Sequence, residues 1–430
     1  MYCFSTCLRA LAAALLFCTT ASAAYTVRVT DRVVTGRPLI ENASLSHPYS
    51  HTACGGSACT NVLNPAWLPF GSGAIGRGHD HGRHGINGIN GDIHGDINGH
   101  DGKHDGRHGI NGHDGGHDMN GDMIGHDGGL FIRLSTPGCY PSVINLLPAL
   151  PGSGGLAFAT PGDAYVLKDG PAGDRRVALG DDPRAVHRPL TGDFFVTYQT
   201  GWNNTRRTQI STTRAPRDLA SWKRLPRTMF DTDDCGTTLW FPEDVDEAIP
   251  LAEKKAYAIA TFGTLRGGNL SLVTSTDNMR TWQDQGLLLQ TRPGHWDNAT
   301  LSSGPPPMQL EDGNWLMLYN VDNLWPVHDP KPFPSFGRCA LGWAILDGKN
   351  LTHVLARADE PLVFAQEPWE KEGTTDMVVY TDGMRNEGGN VFTVFAGGAD
   401  TVVEAFRIKV EAGSPSVAEK VVPAASGTPP

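Results

Sequence analysis

Gly192-Asp193-Phe194-Phe195-Val196-Thr197-Tyr198 is a polar pair that launches a short run of aromatic and β-branched residues. Such a run, opened by turn-forming residues, reads as a β-strand. The signature returns four more times along the 430-residue chain. It recurs at Gly129-Leu130-Phe131-Ile132-Arg133, Lys255-Ala256-Tyr257-Ala258-Ile259-Ala260, Gly313-Asn314-Trp315-Leu316-Met317-Leu318-Tyr319 and Gly389-Asn390-Val391-Phe392-Thr393-Val394-Phe395. Successive runs lie roughly 60–75 residues apart, room for about four short strands and their turns, which is one propeller blade. Asp218 to Trp222 and Asp277 to Trp282 repeat a second mark, an Asp-held turn followed by a Trp that locks an outer hairpin. Hardly any amphipathic helix of useful length is present. The pattern predicts an all-β chain, a single five-bladed β-propeller over residues 24–410, with a two-sheet sandwich as the competing arrangement.

Upstream of four runs sits a Pro-containing segment: Asn64-Pro65-Ala66, Asp182-Pro183-Arg184, Phe241-Pro242-Glu243 and Pro305-Pro306-Pro307. Proline cannot donate to a sheet ladder and belongs at a strand start or on an edge. These segments are therefore candidates for the short strands beside the axis. Asp182, Arg184 and Glu243 would converge there from different blades.

The flanks read differently. Residues 1–23 carry a weakly basic start, an apolar stretch from Leu11 to Cys18 and the small-residue site Ala21-Ser22-Ala23, the form of a secretory signal peptide. No later stretch reaches the ~20 apolar residues of a spanning helix, so the expected product is secreted, with no membrane partner. Five Asn-x-Ser/Thr triplets, at Asn42, Asn203, Asn269, Asn298 and Asn350, are compatible with a glycoprotein. Cys54 and Cys59 could close a local disulfide, and Cys139, Cys235 and Cys339 are left without an assignable pairing.

Residues 72–128 repeat Gly-His-Asp-Gly and Gly-Ile-Asn-Gly units and hold ten of the sixteen histidines. So little apolar surface cannot offset the entropy of ordering, and the stretch reads as a disordered low-complexity insert within the propeller. His and Asp could capture metal weakly, but no structural-zinc spacing is present and no metal or cofactor is assigned. Residues 411–430 read as a flexible, Pro/Ser/Ala-rich tail. The net charge of −11 argues against a nucleic-acid partner, which needs clustered Lys and Arg.

Taken in order along the chain, the inner segments and several others resemble glycoside hydrolase family 130, the β-mannoside phosphorylases and mannosidases. The matching pieces are Asn64-Pro65-Ala66, Asp181-Asp182-Pro183-Arg184, Gly304-Pro305-Pro306-Pro307, Leu341 to Asp347, Glu367 to Gly373 and Phe395 to Thr401. The resemblance implies a five-bladed propeller with a sugar site on its axis and inversion at the anomeric carbon of a β-mannoside. It implies that Asp182 is the general acid, preceded by Asp181 where the family carries Glu, and that Asp400 contacts the sugar at the cleaved end. Asn64, Arg184, Tyr319, Arg338, Glu372 and Asp400 are the candidate substrate-binding residues.

The chain departs from the phosphorylases of that family. Gly236-Thr237 stands where they carry Lys-Asn, Ala258 to Phe262 offers no cation where they carry His-Arg, and Asn320 follows Tyr319 where they carry His. A phosphate acceptor needs a cationic cradle, so these changes favour water. An inverting hydrolase then needs a second carboxylate as base, ~6.5–9.5 Å from the acid. Glu243 is the first candidate and Asp297 the second; either could instead cap a turn or pair with Arg. Trp240, Trp315 and Trp325 could stack on sugar rings or fill core between blades. The expected function is a secreted inverting hydrolase of β-mannosides or a related oligosaccharide. A β-mannoside phosphorylase, an arabinan- or fructan-cleaving propeller and a non-catalytic glycan-binding propeller remain the alternatives.

Overall fold

The computed structural model describes residues 25–33, 38–40, 61–70, 127–135, 142–159, 166–167, 180–200, 206–231, 234–262, 268–322 and 337–413. The leader, Cys54, Cys59, Cys139, Asn42, Asn203, Trp325, the tail beyond 413 and all but the last two residues of the 72–128 insert lie outside them. So does the side chain of Cys235.

The chain enters on β1 (Tyr25–Arg32), whose pairing partner comes last in the sequence. The first blade is β2 (Asn61–Pro69), β3 (Gly128–Ser135), β4 (Ser142–Pro148) and β5 (Val166–Leu167). The second is β6 (Asp181–Arg188), β7 (Asp193–Thr200), β8 (Arg207–Thr213) and β9 (Lys223–Arg224). The third is β10 (Asp234–Trp240), β11 (Ala256–Phe262), β12 (Leu270–Ser275) and β13 (Gln283–Leu289). In the fourth, β14 (Thr300–Ser303) and the short β15 (Met308–Gln309) both pair with β16 (Trp315–Asp322), followed by β17 (Cys339–Asp347) and β18 (Asn350–Arg357). After the short helix α1 (Pro368–Lys371), β19 (Val379–Gly388), β20 (Val391–Gly398) and β21 (Val402–Ala412) form the fifth blade, and β1 adds its outer strand. The protein is a five-bladed β-propeller, and the five sequence runs fall in β3, β7, β11, β16 and β20, the second strand of every blade.

Those strands are apolar on both faces because each blade is sandwiched between two others. Side chains alternate across a strand, so neighbouring residues serve opposite junctions. Phe131 packs against Ala185, Val196 and Tyr198 of the second blade, while Leu130 and Ile132 pack against Phe395 and Val403 of the fifth. On β16, Leu316 and Leu318 join Val379 and Phe392, whereas Met317 and Tyr319 join Ile259 and Leu272 of the third blade. Phe195 and Ile210 meet Leu239 and Val273 in the remaining junction. Five buried clusters thus serve five junctions and close the ring.

Closure also depends on charge. Arg32 of β1 reaches Glu370 of α1 at 2.6 Å and Glu404 of β21 at 2.7 Å, and both glutamates are buried. Burial pushes the Glu404 carboxyl up to about 8; the charge and hydrogen bond of Glu370 add to this and Arg32 opposes it. A carboxyl with a raised value holds its proton in the folded state after losing it in the unfolded chain. Its contribution to stability is therefore full below the ordinary glutamate value of 4.5 and is lost as pH rises towards about 8. Glu404→Gln is expected to flatten the fall in unfolding temperature over that window, where one differentially bound proton changes stability by about 1.4 kcal/mol per pH unit. Thermal unfolding of wild type and variant at a series of pH values checks it; parallel curves would refute it.

Candidate active site

Four of the five axis-lining strands carry a β-bulge. In β2 it holds Asn64-Pro65, in β6 Asp182-Pro183, in β10 Cys235-Gly236 and in β19 Asp382. A bulge takes residues out of the ladder and re-aims their side chains, a device common beside active sites. Asn64 (φ 49°) and Asp182 (φ 48°) adopt the left-handed backbone. Short polar side chains tolerate it because they can bond locally, though each costs of order 1–3 kcal/mol.

The surrounding bonds hold this strained backbone in place. Asn64 Nδ2 donates to Asp182 Oδ1, and Arg133 Nη1 lies 3.3 Å from the same oxygen. Arg133 Nε meets Asp181 Oδ1 at 3.0 Å, and Ser142 donates to Asp181. One guanidinium from β3 therefore spans two adjacent buried carboxylates. Arg184 is wholly enclosed. Its Nη1 donates to the Asp182 carbonyl at 2.8 Å and its Nη2 to the Ser303 carbonyl at 2.7 Å. Its Nε shares Ser303 O (3.2 Å) and Gly304 O (3.3 Å), and Nη2 also faces Asp382 Oδ1 at 2.8 Å and Tyr380 Oη at 3.2 Å. Tyr380 Oη lies 2.6 Å from Ser302 Oγ.

Burial raises the Asp182 carboxyl, but Arg133, Arg184, Arg206 and the Asn64 amide more than offset it, and the group is held below the usual carboxylate range. Asp400 behaves oppositely. Burial pushes its carboxyl up, a hydrogen bond from Thr375 and the Arg133 charge pull against this, and the charges of Asp182 and Asp181 reinforce it. Burial also pushes Asp382 well up, with Arg184 opposing and Asp182 adding. Several acids thus share one field, and their environments drive their titrations apart, the condition under which an acid and a base can coexist.

Among the sequence candidates, Asn64, Asp182 and Arg184 meet at the end of the axis where the inner strands begin. Asp400 follows β20 at the same end, since Gly398 pairs with Val379, the first residue of β19. Glu372 is exposed and precedes Gly373, which packs against Ala399 and Thr401 beside Asp400. Arg338 is exposed on that rim too, its backbone N–H donating to Met377.

Three residues do not reach the site, and one has a different task. Glu243 accepts from Tyr257 Oη (2.6 Å) and from the Lys255 N–H (2.7 Å) beyond the far end of β10. Its neighbour Asp244 pairs at 2.8 Å with Arg188. Arg188 lies six residues along β6 from Asp182, about 20 Å at the usual strand rise. The true counterpart of Asp182-Pro183 in the third blade is the bulge at Cys235-Gly236, which carries no proline and so escaped the pattern. Asp297 is locked between Arg292 (2.9 Å) and Arg357 (2.5 Å) and accepts from Tyr319 Oη at 3.1 Å. Tyr319 stacks on Trp296 in the junction of the third and fourth blades. Trp240 and Trp315, expected either to stack on sugar or to fill core, fill that same junction. Arg184 is at the site, but its donors face protein oxygens, so it ties strands together rather than offering itself to a sugar. Sequence reading passed over Arg133, Tyr380 and Asp382. Arg133 was visible as the one cation ending a strand run; Asp382 sits in a bulge one residue long, as does Glu387 further along β19.

The wild-type Asp182 carboxyl, lowered in the fold, contributes stability that is present above its ordinary value of 3.8 and lost as pH falls through the lowered one. Removing Arg133 reverses the situation by leaving buried carboxylates without their partner. Arg133→Gln is expected to lose about 3–5 kcal/mol at neutral pH and to recover part of it on acidification, the opposite slope to wild type. Denaturant unfolding at pH 7 and pH 5 measures it; the same loss at both would show that Arg133 acts through packing alone.

The sequence pattern of a family described as beta-1,4-mannooligosaccharide phosphorylase matches residues 174–412. A 1,2-beta-oligomannan phosphorylase of Thermoanaerobacter sp. is 30% identical over 131 residues, 30% of this chain and 40% of that protein. A beta-1,2-mannobiose phosphorylase of Listeria innocua is 30% identical over 176 residues, 40% of this chain and 46% of the other. The chain therefore spans less than half the length of these curated relatives. A solved structure described in terms of mannoside phosphorylases and of hydrolases that target beta-1,2 mannosidic linkages in Candida mannan superposes with a TM-score of 0.60 at 17% identity. The match covers 90% of this chain and 94% of that one, and at such identity it is a likeness of fold.

Proposed function

This chain belongs to glycoside hydrolase family 130, and from that premise we propose that it cleaves β-mannosidic linkages with inversion, using water as the acceptor and Asp182 as the proton donor. We propose as well that the enzyme acts outside the cell, a reading supported by the leader-like composition of residues 1–23. The observation that carries the choice of water is the state of the two buried guanidiniums beside Asp182. Arg133 faces Asp181 and Asp182, and Arg184 faces Asp382 and three carbonyl oxygens. A phosphate dianion needs N–H donors free to turn towards it. Water needs none.

In the reaction, the bond between the anomeric carbon and the glycosidic oxygen breaks while that oxygen takes a proton from Asp182. Water adds from the opposite face and gives its proton to a base, so mannose and the shortened alcohol are the products. With Glu243 and Asp297 elsewhere, Asp400 is the carboxylate at this end best suited to be that base. Asp182 is held ionised and must gain a proton before each turnover, while Asp400 must lose the one that its raised titration favours, so the active form is the less populated of the two ways of sharing one proton between them. The opposed titrations of Asp182 and Asp400 favour a second reading in which the two exchange roles.

The decisive measurement is product analysis on β-1,2- and β-1,4-mannobiose with and without phosphate. Free mannose at the same rate in both is expected; mannose 1-phosphate formed only with phosphate would overturn the choice of water. Asp182→Asn is expected to lose roughly 10²–10⁴-fold in turnover on mannobiose. It should lose far less on an aryl mannoside, whose leaving group needs no proton. If instead Asp400→Asn shows that selective sparing, Asp400 is the acid.

A further inference from the structure

We propose that Asp382 is the residue that denies phosphate to the axial site, by occupying Arg184, the enclosed guanidinium in its floor. The proposal rests on the reading of the chain as a mannoside-cleaving enzyme.

The bulges supply the geometry. Those of β2 and β6 bring Asn64 and Asp182 to the site, whereas the bulge of β10 ends in Gly236, which brings no side chain. Gly236 has φ 115°, a conformation that suits glycine, and a Cβ there would lie 2.9 Å from Arg184 Nη2 and 3.1 Å from Nη1. The Arg184 guanidinium therefore fills the space that a larger residue at 236 would take. The bulge of β19 then sets Asp382 against it, Oδ1 to Nη2 at 2.8 Å, with neither side chain exposed by more than 1%. Neither Asp382 oxygen has a hydrogen-bond partner, so the carboxyl depends on this one ion pair.

Two effects exclude a dianion. The first is occupancy: the Asp182, Ser303 and Gly304 carbonyls face Nη1, Nη2 and Nε, and Asp382 closes the remaining side of Nη2. The second is charge. An anion arriving here enters a poorly solvated region already holding Asp182, Asp181 and Asp400, where like charges repel strongly. Occupancy persists even when Asp382 carries a proton. Removing the Asp382 side chain reverses the first effect and leaves Arg184 Nη2 open to an anion. Phosphate oxygen could then attack the anomeric carbon in place of water, the glycosidic bond breaking as Asp182 protonates the leaving oxygen, to give mannose 1-phosphate and the shortened alcohol.

The test is titration calorimetry of inorganic phosphate into the full chain at matched ionic strength, with Asp382→Ala and the isosteric Asp382→Asn. Wild type is expected to show no saturable binding. Asp382→Ala should bind at least roughly tenfold more tightly, Asp382→Asn, whose amide oxygen still faces Nη2, should not share that gain, and Arg184→Met in the Asp382→Ala background should abolish it. Saturable binding by wild type overturns the proposal without any variant being needed. So does a folded Asp382→Ala, checked by circular dichroism, that binds phosphate no better. Product analysis keeps the two readings apart. A wild type that releases mannose without phosphate, alongside an Asp382→Ala variant that gains no phosphate affinity, leaves the hydrolase standing and removes the role of Asp382.

Discussion

A guanidinium cannot be left unpaired in a protein interior, and Arg184 makes that constraint the centre of this molecule. Its donors face a carbonyl of β6, two carbonyls at the end of β14 and a carboxylate of β19. Three of the five inner strands thus meet at one side chain, with Gly236 of a fourth packed against it. Leaving a buried charge uncompensated costs about 3–5 kcal/mol, so strands that drifted apart would lose the pairing together. The left-handed backbone of Asp182 follows, because the carbonyl Arg184 grips is that of Asp182 itself. The group proposed to deliver the proton is positioned by the cation that knits the axis.

The same economy explains which parts of the fold were legible in the sequence. The second strand of each blade is buried on both faces, so its residues must be apolar and strand-forming, and that demand wrote five visible runs. The inner strands carry polar residues at bulges, and their periodicity is broken where the chemistry sits. Proline betrayed Asn64 and Asp182 only because those bulges contain it. The third and fifth blades bulge at Gly236 and Asp382 without proline. The proline of the third blade, in Phe241-Pro242-Glu243, instead marks the turn at the far end of β10, one strand length past the bulge. β1 was invisible for another reason: its burial alternates weakly, and its partner β21 lies at the other end of the chain.

Tyr319 misses the site because of alternation, and the turn residue Asp297 accepts from its hydroxyl in the same junction. A strand buried on both faces sends adjacent residues to opposite junctions, and Tyr319 shares the face of Met317, whose neighbours are in the third blade. Asn320 points the other way, its amide donating to Thr381 O at 3.0 Å and accepting from Thr381 N at 2.9 Å. One residue of slip separates a junction residue from an axial one. Motif spacing without a strand register cannot resolve that difference.

Electrostatics accounts for what the site can do. The axial end gathers Asp181, Asp182, Asp382 and Asp400 against Arg133 and Arg184, an excess of acids over enclosed cations. A neutral sugar is indifferent to that imbalance and can use it, since its hydroxyls donate to carboxylates and its ring develops positive charge as the glycosidic bond breaks. A phosphate dianion meets the same groups as repulsion. In the proposed reaction, the field that steadies an oxocarbenium-like transition state is also the one that repels an anionic acceptor. In the proposed hydrolase, selecting water over phosphate requires no separate gate, only that the buried guanidiniums beside Asp182 stay occupied by the protein's own oxygens.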